Sequence, residues 1–139
     1  MKKVSKKHRQ KSGREVAIFA ARAALEKKAE DLVILNVRGI CSFADYFVIM
    51  SGRSTRHVQG LADAVDKALR DKKLKSTNTE GLQEGMWVLL DYDDVVVHIF
   101  YHETRSFYNL EGLWHDGRII DLEDDPSTKA KVVGEKVQK

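Results

Sequence analysis

Residues 87–114 read WVLLDYDDVVVHIFYHETRSFYNLEGLW, and this stretch decides how the rest of the chain folds. Two apolar runs, 86–90 and 95–101, are rich in β-branched and aromatic residues and predict two strands. Asp91-Tyr92-Asp93-Asp94 between them has the composition of a tight connection, so the pair reads as a hairpin. The period then changes. Thr104 stands where an N-cap belongs, and a short helix is expected to run to about residue 113. Phe107, Leu110 and Trp114 recur at i, i+3 and i+7 and form its expected inner stripe. Tyr108 and Glu111 fall on the neighbouring stripe, with Arg105 near the start. Trp, Tyr and Arg are the residues that most often anchor interfaces. The stretch has the composition of a recognition surface and lacks a convincing catalytic set.

Toward the N-terminus, Ser12 with Glu15 makes a capping-box pattern, and a helix is expected from there to about Glu30. Its inner face carries Val16, Phe19, Ala20, Ala23 and Ala24. Residues 32–37 read as a strand and Arg38-Gly39 as a turn. Residues 45–51 are apolar on both faces, as a central strand requires. Ser54 is the expected cap of a helix over 55–72 with the stripe Val58, Leu61, Ala62, Val65 and Leu69. Residues 73–85 read as a polar connection, and 118–121 as a last short strand. The order α-β-β-α-β-β-α predicts an α/β fold, a mixed sheet sandwiched by helices. One domain is expected over 13–122, with a basic flexible arm at 1–12 and a polar tail at 123–139.

Composition narrows the class. A hydrophobic fraction of 42% and a charged fraction of 32% over 139 residues fit one soluble globular domain. The single cysteine, Cys41, cannot form an internal disulfide, which fits a cytoplasmic setting. No secretory signal is seen, and the longest apolar runs fall far short of the roughly 20 residues of a spanning helix. The net charge of +3 hides a split. Residues 1–14 hold seven Lys or Arg and no acid. Without them 17 basic residues face 21 acidic ones, so the body from Glu15 onward is near −4. The arm is suited to phosphates of RNA, and the body to a basic partner.

Three kinds of chemistry can be sketched from the residues. Asp91 and Asp93 share one side of an extended strand and, with the Ser51-Gly52 turn as a phosphate cradle, sketch a magnesium-dependent nucleotidyltransferase site. The order Ser-Gly is reversed from that of such sites, however, and 38 residues separate Gly52 from Asp91. Asp, Tyr and Asp are also ordinary turn residues. His98 and His102 are spaced for a helix but sit on a predicted strand, where their rings stand roughly 13 Å apart, so no shared metal is expected. No Gly-x-Ser-x-Gly elbow is present, and nucleophilic catalysis has no support. A non-enzyme without cofactor or metal is the expectation.

Several blocks, in order, resemble the ribosomal silencing factor family, also called RsfS or Iojap. They are Lys28-Ala-Glu-Asp-Leu32, Asp45-Tyr-Phe-Val-Ile49, Ser51-Gly-Arg-Ser-Thr55, Trp87-Val-Leu-Leu-Asp91, Val96-Val-His-Ile-Phe100, Arg105, Phe107-Tyr-Asn-Leu-Glu111 and Leu113-Trp114. The resemblance spans roughly residues 15–117. It implies a nucleotidyltransferase-like fold without the catalytic site, homodimers when free, and docking on the large ribosomal subunit through ribosomal protein fourteen. It further implies that docking sterically blocks subunit joining and represses translation under nutrient limitation. Carried over by position, the expected partner-binding residues are Trp87, Asp91, His98, Phe100, Arg105, Tyr108 and Glu111, with Trp114 as a buried alternative.

Overall fold

A computed structural model describes residues 13–109, 112 and 118–120. The expectations for the basic arm, the polar tail, Leu110, Glu111 and Trp114 lie outside the described residues. Helix α1 spans Gly13–Glu26, strand β1 Glu30–Asn36, β2 Tyr46–Gly52, helix α2 Thr55–Arg70, β3 Asn78–Glu80, β4 Trp87–Asp91, β5 Val95–Tyr101, helix α3 His102–Tyr108 and β6 Arg118–Ile119. The six strands form one sheet in the order β3-β4-β5-β2-β1-β6. Only β2 and β5 are parallel, with Tyr46 opposite Val95 and Gly52 opposite Tyr101; every other pair is antiparallel. The expected α/β class and mixed sheet are found.

Alternation along the strands gives the sheet two different faces. Leu32 and Ile34, Val48 and Met50, Val88 and Leu90, and Val97 and Ile99 point to the side that carries both long helices. Val33 and Leu35, Phe47 and Ile49, and Val96 and Phe100 point to the other, where the loop after β1 contributes Val37, Cys41 and Ala44. The stripe expected on α2, from Val58 to Leu69, is buried residue for residue, and the Ser54 hydroxyl accepts the His57 N–H at 3.0 Å as its cap. On α1 the buried set differs from expectation: Ala17, Ile18 and Ala21 are buried while Ala23 is only partly so, because this helix packs against both the sheet and α2. Phe19 is only partly buried there, with the Lys72 ammonium 4.9 Å above its ring. Gly13 opens α1 against the Tyr46 ring, where a Cβ would stand 3.1 Å away.

Both long helices stop earlier than expected, for one reason. The Lys28 N–H bonds the Leu25 carbonyl and the Ala29 N–H the Ala24 carbonyl; Lys73 and Leu74 repeat this on Arg70 and Leu69. These are Schellman closures with a lysine in the left-handed position, at φ 64° and 66°, where glycine is the usual marker. Strand β3 was not expected. Its three residues are exposed and polar, and it is held by pairing with β4 and by the Thr77 N–H on the Asp91 carbonyl. Helix α3 departs most from expectation. It begins at His102 after Tyr101, Thr104 is buried inside it, and left-handed Asn109 closes it with an N–H to the Arg105 carbonyl. Among the described residues no helix is long and apolar enough to cross a membrane.

Candidate docking face

The hairpin register decides what the second face looks like. With Asp91 opposite Val96, Leu89 falls opposite His98 and Trp87 opposite Phe100. Directly paired residues share a face, so Trp87, Leu89, His98 and Phe100 form one patch on β4 and β5. The Trp87 and Phe100 rings stack at 4.9 Å, and the Phe47 ring meets His98 edge-on at 5.0 Å. Phe43, in the loop before β2, lies 6.0 Å from Phe47 and is 64% exposed. Trp87 and Leu89 are half-buried, so the centre of the patch presents apolar surface.

The Trp87 indole N–H donates to His98 Nδ1 at 3.1 Å. An indole can only donate, so Nδ1 must be the acceptor and the ring carries its proton on Nε2. That Nε2 is buried without a hydrogen-bond partner, an arrangement that costs about 1–3 kcal/mol. His98 is only 4% exposed, and burial pushes its pKa down from 6.5 to about 4, so it is neutral near pH 7.

Acids rim this patch. Asn78 pairs with Asp91 and Glu80 with Leu89, so Asp91 and Glu80 project to the same side as Trp87. Residues 30–53 and 76–101, which hold five of the strands, carry eight Asp or Glu against two Lys or Arg. The two long helices with the turns that follow them, 13–29 and 54–75, carry ten Lys or Arg against five acids.

The residues expected to bind a partner therefore separate. Trp87 is open to solvent at the centre, and Asp91 stands at the rim. His98 and Phe100, the latter with no exposed surface, back Trp87 and have almost nothing of their own to offer a partner. Arg105 is turned inward: its guanidinium donates to the Asp31 carbonyl at 2.6 Å and the Ser51 hydroxyl at 2.9 Å, which ties α3 to β1 and β2. Tyr108 ends α3. Phe107, expected on the inner stripe of the helix, is 80% exposed, because α3 has seven residues and buries Thr104 instead. His102 opens this helix and does not continue the strand. Phe43 was missed, as were the exposed Ile40 and Met86. For Ile40 and Phe43 the available signal was a large apolar residue inside a Gly- and Ser-containing loop; Met86 was read into the strand that begins one residue later.

The nucleotidyltransferase sketch comes apart in space. Gly52 lies opposite Tyr101 and Asp91 opposite Val96, so the two halves of the supposed site are at opposite ends of β5, roughly 17 Å apart at strand rise. Asp91 Oδ1 accepts the Asp93 N–H at 2.9 Å, and Asp93 has φ 70°, so the pair is a turn motif. Among the described residues no group of three or more His, Cys, Asp or Glu converges as a metal would need.

Fold and face together define a small α/β protein with helices layered on one side of a mixed sheet and a partly open aromatic patch, rimmed by acids, on the other. The chain belongs to the family described as "Ribosomal silencing factor during starvation", whose model matches residues 10–139. It is 40% identical over 112 residues to ribosomal silencing factor RsfS of Halalkalibacterium halodurans, covering 81% of this chain and 96% of that one. RsfS of Bacillus subtilis is 42% identical over 105 residues, covering 76% and 89%. The chloroplastic Iojap protein of Zea mays is 35% identical over 112 residues, 78% of this chain and 47% of that longer one. A crystal structure from Chromobacterium violaceum superposes with a TM-score of 0.72 at 31% identity, covering 73% and 85% of the two chains. One from Bacillus halodurans gives 0.70 at 37%, covering 78% and 99%.

Proposed function

We propose that this protein docks on the large ribosomal subunit with the second face of its sheet, against ribosomal protein fourteen. Its bulk there keeps the small subunit from joining, and translation falls under nutrient limitation. The observation that carries this reading is the Trp87 patch: a half-exposed indole held in orientation by a buried ring, apolar at its centre and acidic at its rim. A basic ribosomal protein is the complementary partner, because opposite fields steer encounter and like charges reject wrong partners. Asp91, Tyr108 and Glu111 are the proposed rim contacts, and Arg105 holds α3 in place. The protein acts in the cytoplasm without a cofactor, as a docking factor and not as an enzyme. The basic arm adds electrostatic affinity for nearby ribosomal RNA. When the partner is absent, the exposed apolar patch pairs with a second copy, which gives a homodimer.

Co-sedimentation with separated ribosomal subunits is the direct test. Binding to the large subunit, with fewer assembled ribosomes when the small subunit is added, is the expected result. Binding to neither subunit overturns the reading.

A further inference from the structure

A second surface, away from the Trp87 patch, lies between the end of α1 and the start of α2. It is an open cleft of about 570 Å³ lined by Glu26, Lys27, Lys28, Arg53, Ser54 and His57. His57 builds it. Its Nδ1 accepts the Arg53 N–H at 2.9 Å, and its Nε2 donates to the Lys27 carbonyl at 2.8 Å. The imidazole thereby fastens the closing turn of one helix to the opening turn of the next, and holds Lys27 and Lys28 across from Arg53. Lys27, Lys28, Arg53 and Arg56 are all exposed. Glu30 takes one of Arg53's five donors at 2.8 Å, and Glu26 is the other nearby acid. The lining holds three cations, Lys27, Lys28 and Arg53, against Glu26, and Arg56 stands in the first turn of the adjoining helix.

We propose that this cleft is a docking surface for the phosphate backbone of double-stranded RNA. Lys27, Lys28 and Arg56 belong to the positive helical segments, and Arg53 adjoins them at the end of β2, so a polyanion approaching from this side meets attraction and not the body's net repulsion. No Phe, Tyr or Trp lines the cleft, and the His57 imidazole in it is held through both ring nitrogens to backbone groups. The cleft is open to one side and so suits a tracked backbone better than an enclosed nucleotide. The start of a 16-residue helix adds its positive dipole end, and the Ser54 hydroxyl, which already accepts from His57, still has its own proton to donate. Phosphate contacts of this kind position a protein on a duplex without reading its sequence. The inference concerns a different surface from the sheet face and the arm, and does not depend on the docking reading.

The test uses the full chain and a fluorescent RNA duplex of about 20 base pairs unrelated to the ribosome, followed by anisotropy across a salt series. The triple variant Lys27→Glu/Lys28→Glu/Arg53→Glu is compared with Lys67→Glu/Lys73→Glu/Lys75→Glu, which changes net charge equally at and beyond the far end of α2. Each phosphate contact adds about 0.7–0.9 to the slope of log K against log salt. The cleft variant should lose about two of that slope and at least tenfold in affinity, while the matched control loses less than one unit of slope. Equal losses in the two variants would mean that only net charge matters and would overturn the proposal. So would an unchanged slope in the cleft variant, or a wild-type chain that ignores duplex RNA. Should the glutamates disturb folding, glutamine at the same three positions removes the charge with the same expected ranking.

Discussion

Leu89 and Leu90 are neighbours on β4 and point to opposite sides of the sheet. Leu90 is 2% exposed in the core under the two long helices; Leu89 is half-buried beside Trp87. The helical side is lined mostly by aliphatic residues, and the Tyr92 hydroxyl at its edge donates to Asp66 at 2.8 Å. The other side is aromatic, leaves surface open, and buries an imidazole nitrogen that has no partner. The first is built for stability. The second gives up some stability for a surface of fixed shape, which is the expected signature of a functional site. Truncation of each leucine to alanine separates the two. Leu90→Ala should cost about 2–5 kcal/mol, the range for a fully buried leucine. Leu89→Ala should cost less than half as much in urea denaturation, and should weaken large-subunit binding instead. Equal stability losses would show that the second face is sealed as well as the first.

The imidazole sharpens the contrast through pH. The folded pKa of His98 is about 4 and its unfolded value 6.5. A depressed folded pKa means that the unfolded chain takes up protons first as pH falls. The contribution is therefore complete above pH 6.5 and is lost as pH falls through about 4. The full amount is about 3 kcal/mol. Protonation also removes the acceptor that holds the Trp87 indole, so the docking surface should loosen over the same window. The comparison is made against His98→Leu, so that the other titrating groups of the chain cancel. The difference in unfolding free energy between wild type and this variant should change by about 2–3 kcal/mol between pH 7 and pH 4. A constant difference would mean that His98 titrates as it does in water.

How much of this was legible depended on where the information sits. The α2 stripe was read residue for residue, because a serine cap and a strong 3.6-residue period are local signals. The face of Trp87 was within reach but not its partner: counting back from a 91–94 connection pairs Trp87 with His98, whereas the hairpin closes at Asp93-Asp94, with the Tyr92 N–H on the Val95 carbonyl, and sets Trp87 opposite Phe100. Counting alone does not reveal that the indole donates to His98; that needs the side chains in place. β3 carries no alternation because both of its faces are exposed, and its order comes from β4. The helix ends are not legible in the sequence, because lysines occupy left-handed positions that carry no composition signal. The Arg105 guanidinium anchors residues 54 and 74 positions earlier in the chain, a tertiary choice that no window of sequence contains.

On the open face itself, the centre and the rim should respond differently. Trp87→Ala removes the central anchor and is expected to weaken large-subunit binding by about 2 kcal/mol or more, roughly thirtyfold, mainly through faster dissociation. Surface plasmon resonance on immobilised subunits reads both rates. A loss below threefold in a folded variant would move the binding centre elsewhere on the molecule.

The smallest effect concerns Asp91, whose carboxylate has two uses that substitution can part. Its Oδ1 accepts the Asp93 N–H and fixes the hairpin turn, and its charge faces the side where a basic partner is proposed to land. Asparagine keeps an oxygen for the turn and removes the charge; alanine removes both. Asp91→Asn should leave the unfolding free energy within about 0.5 kcal/mol, as surface substitutions that spare a key contact usually do. It should slow association at low salt, with the difference fading as salt rises, since rim charges act chiefly on encounter. Asp91→Ala should add a stability loss of about 1 kcal/mol for the missing turn bond. If Asp91→Asn destabilises as much as Asp91→Ala, the charge itself supports the turn. An association rate unchanged by Asp91→Asn at every salt concentration would place the rim outside the encounter, leaving recognition to the aromatic centre alone.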